Sequence, residues 1–223
     1  MVQPKGGKLT IYVDCVSPYS WFGFTNILRY RPLLNAHGVS VNIIPFFLGG
    51  ARESVGNPWT PTPKWKEEFS AQDSETTGRL LGLKIVQPKD FPILSLYAVR
   101  VATWIKDHFP DDKFEATFEA LVSGYWGKGI NVSTTEGIIK ALDGIFSKAE
   151  LEDILKNAVT PENKKRVIEQ TASAGAFGAP WIVAVDSEGK RKAWFGNDRW
   201  DQVFAHLGVP YAPVSILPRK SHL

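Results

Sequence analysis

Two groups that could do chemistry stand close together near the start of the chain. Cys15 is its single cysteine, and Ser17-Pro18-Tyr19-Ser20 follows two residues later, within "YVDCVSPYSWFGF". A thiol acts as a nucleophile once its pKa is lowered. A serine hydroxyl cannot form a redox disulfide, but it can donate a hydrogen bond to a thiolate brought in by a ligand, which favours the charged form. Two later stretches carry groups suited to the same work. "GAFGAPWIV" sets Ala179-Pro180 directly before an apolar β run, where a cis X–Pro bond in a tight turn is permitted. "FGNDRW" places Asn197 and Asp198 where a last helix begins, as residues that cap helices. Taken singly, each stretch has a plain structural explanation. Ser17 and Pro18 make a good N-cap and N1 pair. Cys15, at the end of an apolar strand, is expected to be an inert buried thiol.

Composition narrows the function classes. Of 223 residues, 43% are hydrophobic and 22% charged, the profile of a globular chain with room for a sizeable core. The net charge of +3 comes from scattered lysines and arginines, which gives no footprint for nucleic acid. A lone cysteine excludes an intrachain disulfide, and His37, His108, His206 and His222 have no ligand spacing, so no metal site is expected. No apolar run reaches membrane-spanning length, and the N-terminus lacks the apolar region of a secretory signal. An intracellular location is the expectation. The C-terminal Ser221-His222-Leu223 has the small-basic-leucine pattern of a peroxisomal address, with mitochondrion or cytoplasm as the alternatives.

The elements that must position these groups read as β-α-β, a helical block, then β-β-α. "KLTIYVDCV" (8–16) is a buried strand by its β-branched content. Apolar residues at Trp21, Phe24, Ile27, Leu28 and Leu33/Leu34 then follow helical spacing, with a stop at His37-Gly38. "VSVNIIPFFLGG" (39–50) reads as a second strand running into a glycine-closed loop. Six amphipathic segments come next, near 64–82, 91–108, 113–125, 133–143, 147–157 and 161–174. Ser133 with Glu136 suggests a capping box, and Thr160-Pro161-Glu162 a further helix start. "APWIVAVDSEGKRKAWFG" (179–196) reads as a hairpin through Ser187-Glu188-Gly189. The fold class expected is α/β: a thioredoxin-like mixed four-stranded sheet made of residues 1–60 and 175–223, with residues 61–174 inserted as an all-helical domain. A ferredoxin-like sheet is the competing assembly.

Together, "SPYS", "GAFGAP" and "FGNDR", with "GGARESVGN" and "KDFP", resemble the kappa-class glutathione transferases along nearly the whole chain. The wider relatives of that class include 2-hydroxychromene-2-carboxylate isomerases and DsbA-type oxidoreductases. The resemblance implies a split thioredoxin fold and glutathione as co-substrate. It implies Ser17 as the catalytic donor to the glutathione sulfur, with Pro18 and Tyr19 in the same wall. Asn57 and Lys66 (with Lys64 as a rival) would hold the tripeptide. Ala179, before a cis Pro180, would pair with its cysteinyl unit, and Asn197 and Asp198 would hold its γ-glutamyl end. The partners implied are a small hydrophobic electrophile, such as an aryl halide or hydroperoxide, and a second copy in a homodimer. Three departures stand out: Ala179 where leucine is common, Asn197 where serine is common, and Ile44 where relatives often carry a basic residue. The last weakens the isomerase reading, which stays open beside that of a non-catalytic glutathione-binding module. With no Cys-x-x-Cys, DsbA-type disulfide exchange is disfavoured.

Overall fold

The apolar run after Gly7 forms strand β1 (Lys8–Val13), whose Leu9, Ile11 and Val13 are fully buried. The chain then turns through Asp14–Ser17 into helix α1 (Pro18–Ala36), returns as β2 (Ser40–Pro45), and enters a short helix α2 (Leu48–Ser54). The computed structural model describes residues 6–214. Ser221-His222-Leu223, the expected targeting tripeptide, therefore lies outside the described residues. Six further helices form the middle of the chain: α3 (Lys64–Leu80), α4 (Leu96–His108), α5 (Asp111–Lys128), α6 (Thr135–Ala141), α7 (Lys148–Ala158) and α8 (Pro161–Ala174). The hairpin of β3 (Trp181–Val185) and β4 (Arg191–Phe195) and the helix α9 (Trp200–Leu207) complete the fold.

The four strands make one sheet in the order β2-β1-β3-β4. β1 runs parallel to β2, as a helical crossover requires, and antiparallel to β3, with Lys8 opposite Val185 and Tyr12 opposite Trp181. β4 pairs antiparallel with β3. This is the thioredoxin arrangement, and the parallel β1–β2 edge pairing excludes the ferredoxin-like alternative. The main core joins β1, α1 and the helices α4–α7 through residues such as Phe22, Phe24, Ile105, Phe118 and Trp126. A smaller cluster on the other side gathers Phe46, Ala51, Ala174, Trp181 and Val183 beneath α2 and α8.

Local chemistry explains where the elements depart from expectation. The stretch expected as a loop at Leu48-Gly49-Gly50 is the first turn of α2, drawn into helix by the Leu48 N–H donating to Asp14 Oδ2 at 2.8 Å. The N-cap of α6 is Thr134, which accepts from the Gly137 N–H. Ser133 donates instead to Asn131 Oδ1, so the expected box with Glu136 does not form. A full capping box occurs at Ser147 and Glu150. Thr160 and Pro161 start α8 as anticipated. Asn197 and Asp198 do not cap the last helix: α9 begins at Trp200 behind Arg199, because the Asn197 side chain is used elsewhere.

Gly23 lets α1 lie against the start of β3. A Cβ there would meet Pro180 Cγ at 3.0 Å and Ile11 Cδ1 at 3.1 Å. Gly23→Val should therefore destabilise the protein by about 1–3 kcal/mol, the range for overpacking a filled core. Urea unfolding would register this as a lower midpoint at unchanged m-value.

Candidate functional site

Ser17 is where the two halves of the sheet domain meet. It is the N-cap of α1, with its Oγ accepting from the Ser20 N–H at 3.3 Å, and Pro18 occupies the first turn. The same Oγ donates to the Ala179 carbonyl at 3.2 Å, across 162 positions of sequence. Ala179-Pro180 is a cis peptide, as is Phe91-Pro92. Ser17 keeps only 7% of its surface exposed. Its hydroxyl sits at the positive end of a 19-residue helix, a place that favours an anion.

The turn "GND" closes on this point from β4. Gly196, at φ 95°, donates its N–H to the Pro180 carbonyl at 3.0 Å. The positive φ suits glycine and sends the chain back over the cis proline. Asn197 Oδ1 then accepts from Asn26 Nδ2 of α1 at 3.1 Å and from Trp200 Nε1 at 3.2 Å. Asn197 thereby ties α1 to α9. Asp198 beside it is exposed, 3.5 Å from Arg199 Nε. Ser17, Pro18, Ala179, Pro180 and the Asn197-Asp198 turn are thus gathered at one end of the sheet.

Tyr19 reaches the helical block: its hydroxyl donates to Asp73 Oδ2 on α3 at 2.6 Å. Burial and this carboxylate push the phenol well above its usual range. Asn57 lies exposed after α2 and is held by Arg52, whose Nε donates to the Asn57 carbonyl at 3.0 Å. Lys64 pairs with Glu68 one turn on at 3.7 Å, and Lys66 is exposed on the first turn of α3. Among the described residues, no hydrogen bond or ion pair joins either lysine to the Ser17 end of the sheet.

Beside Ser17 is a cavity of about 520 Å³ lined by Val16, Phe47, Leu48, Trp59, Ile93 and Leu94, with Arg52 and Glu53 as charged neighbours. Its wall is largely apolar. Trp59 is fixed by the Arg52 guanidinium 5.0 Å from its ring centre and by Phe91 at 5.8 Å. Cys15 points elsewhere in the chemistry: it is buried, and burial with the nearby Asp14 charge raises its thiol well above the ordinary value. It stays a neutral packing group.

Asp14 went unnoticed in the sequence. It is fully buried and accepts from the Val16 N–H at 3.1 Å, the Leu48 N–H at 2.8 Å and Ser95 Oγ at 2.7 Å. Burial pushes its carboxyl up to about 6, against the downward pull of those hydrogen bonds. A single aspartate in "YVDCV" carries no motif, and its partners lie 34 and 81 positions away.

Comparison with known proteins agrees with this geometry. The DSBA-like thioredoxin domain model matches residues 8–208. The chain is similar to glutathione S-transferase kappa 1 of Homo sapiens, at 29% identity over 92% of each chain. It is also similar to glutathione S-transferase kappa 2 of Caenorhabditis elegans, at 26% identity over 94% of this chain and 95% of the other. Among solved structures, a 2-hydroxychromene-2-carboxylate isomerase superposes with a TM-score of 0.71 at 19% identity, covering 90% of this chain and 94% of that one. A probable DsbA oxidoreductase from Streptomyces coelicolor gives 0.65 at 15% identity, with 95% and 94% covered. With the strand order, the cis proline and the Ser17 helix start in place, the chain belongs to the DsbA-like thioredoxin domain family.

Proposed function

We propose that this protein is a glutathione transferase that binds glutathione at the Ser17 end of the sheet and activates its thiol for attack on a small hydrophobic electrophile. The observation that carries the reading is the Ser17 hydroxyl at the N-terminus of α1, facing Ala179 before the cis proline, with serine again at position 20. No thiol of this chain is placed to react, so the sulfur comes with the ligand. The similarity to kappa transferases along nearly the full chain supports the same reading.

In this mechanism the Ser17 O–H turns from the Ala179 carbonyl to the glutathione sulfur. That exchanges a neutral hydrogen bond for a charge-assisted one. The Ala179 backbone is then free to pair with the cysteinyl unit. A free thiol has a pKa near ~8.5, and lowering it by about two units needs roughly 2.7 kcal/mol. A hydrogen bond to the charged sulfur (about 1.5–3 kcal/mol) and the helix dipole (up to ~1 kcal/mol) are sufficient. At the γ-glutamyl end, Asn197 contributes backbone rather than side chain, because Asn26 and Trp200 already occupy its oxygen. The exposed Asp198 carboxylate meets the ammonium. Asn57, held by Arg52, and Lys66 on α3 are assigned to the remaining glycyl side. The apolar cavity beside Val16 takes the electrophile, and aryl halides and hydroperoxides fit its lining. Self-association through the open face of α3, where Trp65 is 70% and Phe69 64% exposed, belongs to the same proposal.

A second reading is a glutathione-dependent isomerase, favoured by the fold match to the chromene carboxylate isomerase. Product analysis separates the two. A transferase consumes glutathione in proportion to product, and an isomerase returns it.

Three variants test the assignment. Ser17→Ala should still bind glutathione by calorimetry. Its bound thiol should ionise about one to two units higher, followed by ultraviolet thiolate absorbance, and turnover at neutral pH should fall roughly tenfold to a hundredfold. The deficit should shrink as pH rises past the thiol's own pKa; undiminished ionisation would remove Ser17 from the mechanism. Asn197→Ala strands two donors and should cost about 2 kcal/mol or more of stability. Asp198→Ala, at an exposed site, should leave stability within ~0.5 kcal/mol while weakening glutathione binding.

A further inference from the structure

The carboxylate of Asp14 touches three separate segments: the turn after β1 at Val16, the start of α2 at Leu48, and the entry to α4 at Ser95. All three of those residues also line the cavity beside Ser17. The residue has no exposed surface, and its own N–H donates to Ser20 Oγ on the first turn of α1, so it is rigidly seated. The Ser95 hydroxyl makes no capping bond on α4 and is given over to this carboxylate.

We propose that Asp14 is a positioning residue that holds the three walls of the electrophile cavity in register and lets them slacken when it takes up a proton. The proposal rests on the reading of that cavity as the electrophile site. The ionised carboxylate is an acceptor on both oxygens: Oδ1 takes Val16, and Oδ2 takes Leu48 and Ser95. Protonation turns one oxygen into a donor with less acceptor capacity and removes the charge from every bond the group accepts, so all three ties weaken and those on the protonated oxygen weaken most. Burial raises the group to about 6, which brings this change next to physiological pH. Among the described residues, the one titratable neighbour that hydrogen-bonds the carboxyl is the Cys15 thiol, which favours the ionised form of Asp14 and, raised by burial and by that charge, stays neutral across this range. Arg52 and Glu53 of α2 line the cavity.

The sign with respect to folding is opposite to the sign with respect to the cavity. Because the folded value is raised, the group's contribution to stability is fully present below the unfolded value of 3.8 and is lost as pH rises through about 6. Acidification therefore loosens the cavity locally while this residue makes the whole fold more stable. A merely structural aspartate would not show that combination.

Amide NMR of the full-length protein, titrated from pH 8 to pH 5, tests the clamp without any need for turnover. The Val16 and Leu48 amide signals should move together with one midpoint near 6. That transition should be absent in Asp14→Asn, and should move to higher pH in Ser95→Ala, which has lost a hydrogen bond to the charged form. With glutathione and 1-chloro-2,4-dinitrobenzene, Ser95→Ala should raise KM for the chloride at least threefold, with KM for glutathione changed less than twofold. Separate or missing transitions at Val16 and Leu48 in the wild type would overturn the proposal, as would an unchanged midpoint in Ser95→Ala. A concerted titration with no turnover of the chloride would uphold the clamp and count against the transferase reading alone.

Discussion

The antiparallel pairing of β1 with β3 is the constraint on which everything else depends. It joins two stretches of chain separated by eight helices and a strand, with Tyr12 set opposite Trp181. From that register the rest follows by short steps. β1 continues through a four-residue turn to Ser17, while β3 is preceded by Ala179 and Pro180, so the hydroxyl and the carbonyl arrive 3.2 Å apart. β4 is registered on β3 with Phe195 opposite Trp181, which carries Gly196 to Pro180 and brings Asn197 within reach of Asn26 on α1. A slip of one residue would turn the buried and exposed faces of β1 over. It would also remove every one of these encounters.

At the end of β1 the fold accepts a cost that packing alone would not require. A fully buried carboxylate whose pKa has climbed about two units is disfavoured by on the order of 3 kcal/mol when ionised, relative to the unfolded chain. An apolar residue at position 14 would avoid that cost, but it could not accept from two backbone N–H groups and a serine at once. Leu48 would then begin α2 without an acceptor for its N–H, and Ser95 would be a buried hydroxyl seeking a partner. The charge is retained where three loops must be fixed at one point beside the site. Such local conflict with stability is characteristic of functional regions.

Much of this was legible from residue order. β1, α1, β3 and β4 follow from alternation, helical spacing and turn residues, and the inserted block shows itself through amphipathic periods and the Thr160-Pro161 start. Ser17 was readable as the N-cap because serine followed by proline is a strong helix-start pair. What the sequence hid is long-range. α2 forms from a glycine-rich stretch because a distant aspartate caps it, and Asn197 leaves its expected capping position because Asn26 and Trp200 claim its oxygen. Asp14 itself resembles any strand-end aspartate until Leu48 and Ser95 are brought to it. Propensity registers neighbours within a few positions, whereas each of these three effects has a partner tens of residues or more along the chain.

The exchange of thiol for hydroxyl at the head of α1 alters the chemistry without altering the scaffold. The free N–H groups and dipole at the helix N-terminus are suited to holding a sulfur anion, whoever supplies it. Cysteines at positions 17 and 20 together would make that anion part of the protein and let the pair close a disulfide. In the proposed function a serine makes the same place a receptor for an anion carried by a ligand, its hydroxyl turning from Ala179 to the sulfur when the ligand arrives. Cys15, two residues earlier, does not restore redox chemistry, because burial and the Asp14 charge hold its thiol neutral. The same aspartate thus silences the one thiol of the chain while it shapes the cavity in which a visiting thiol is proposed to react.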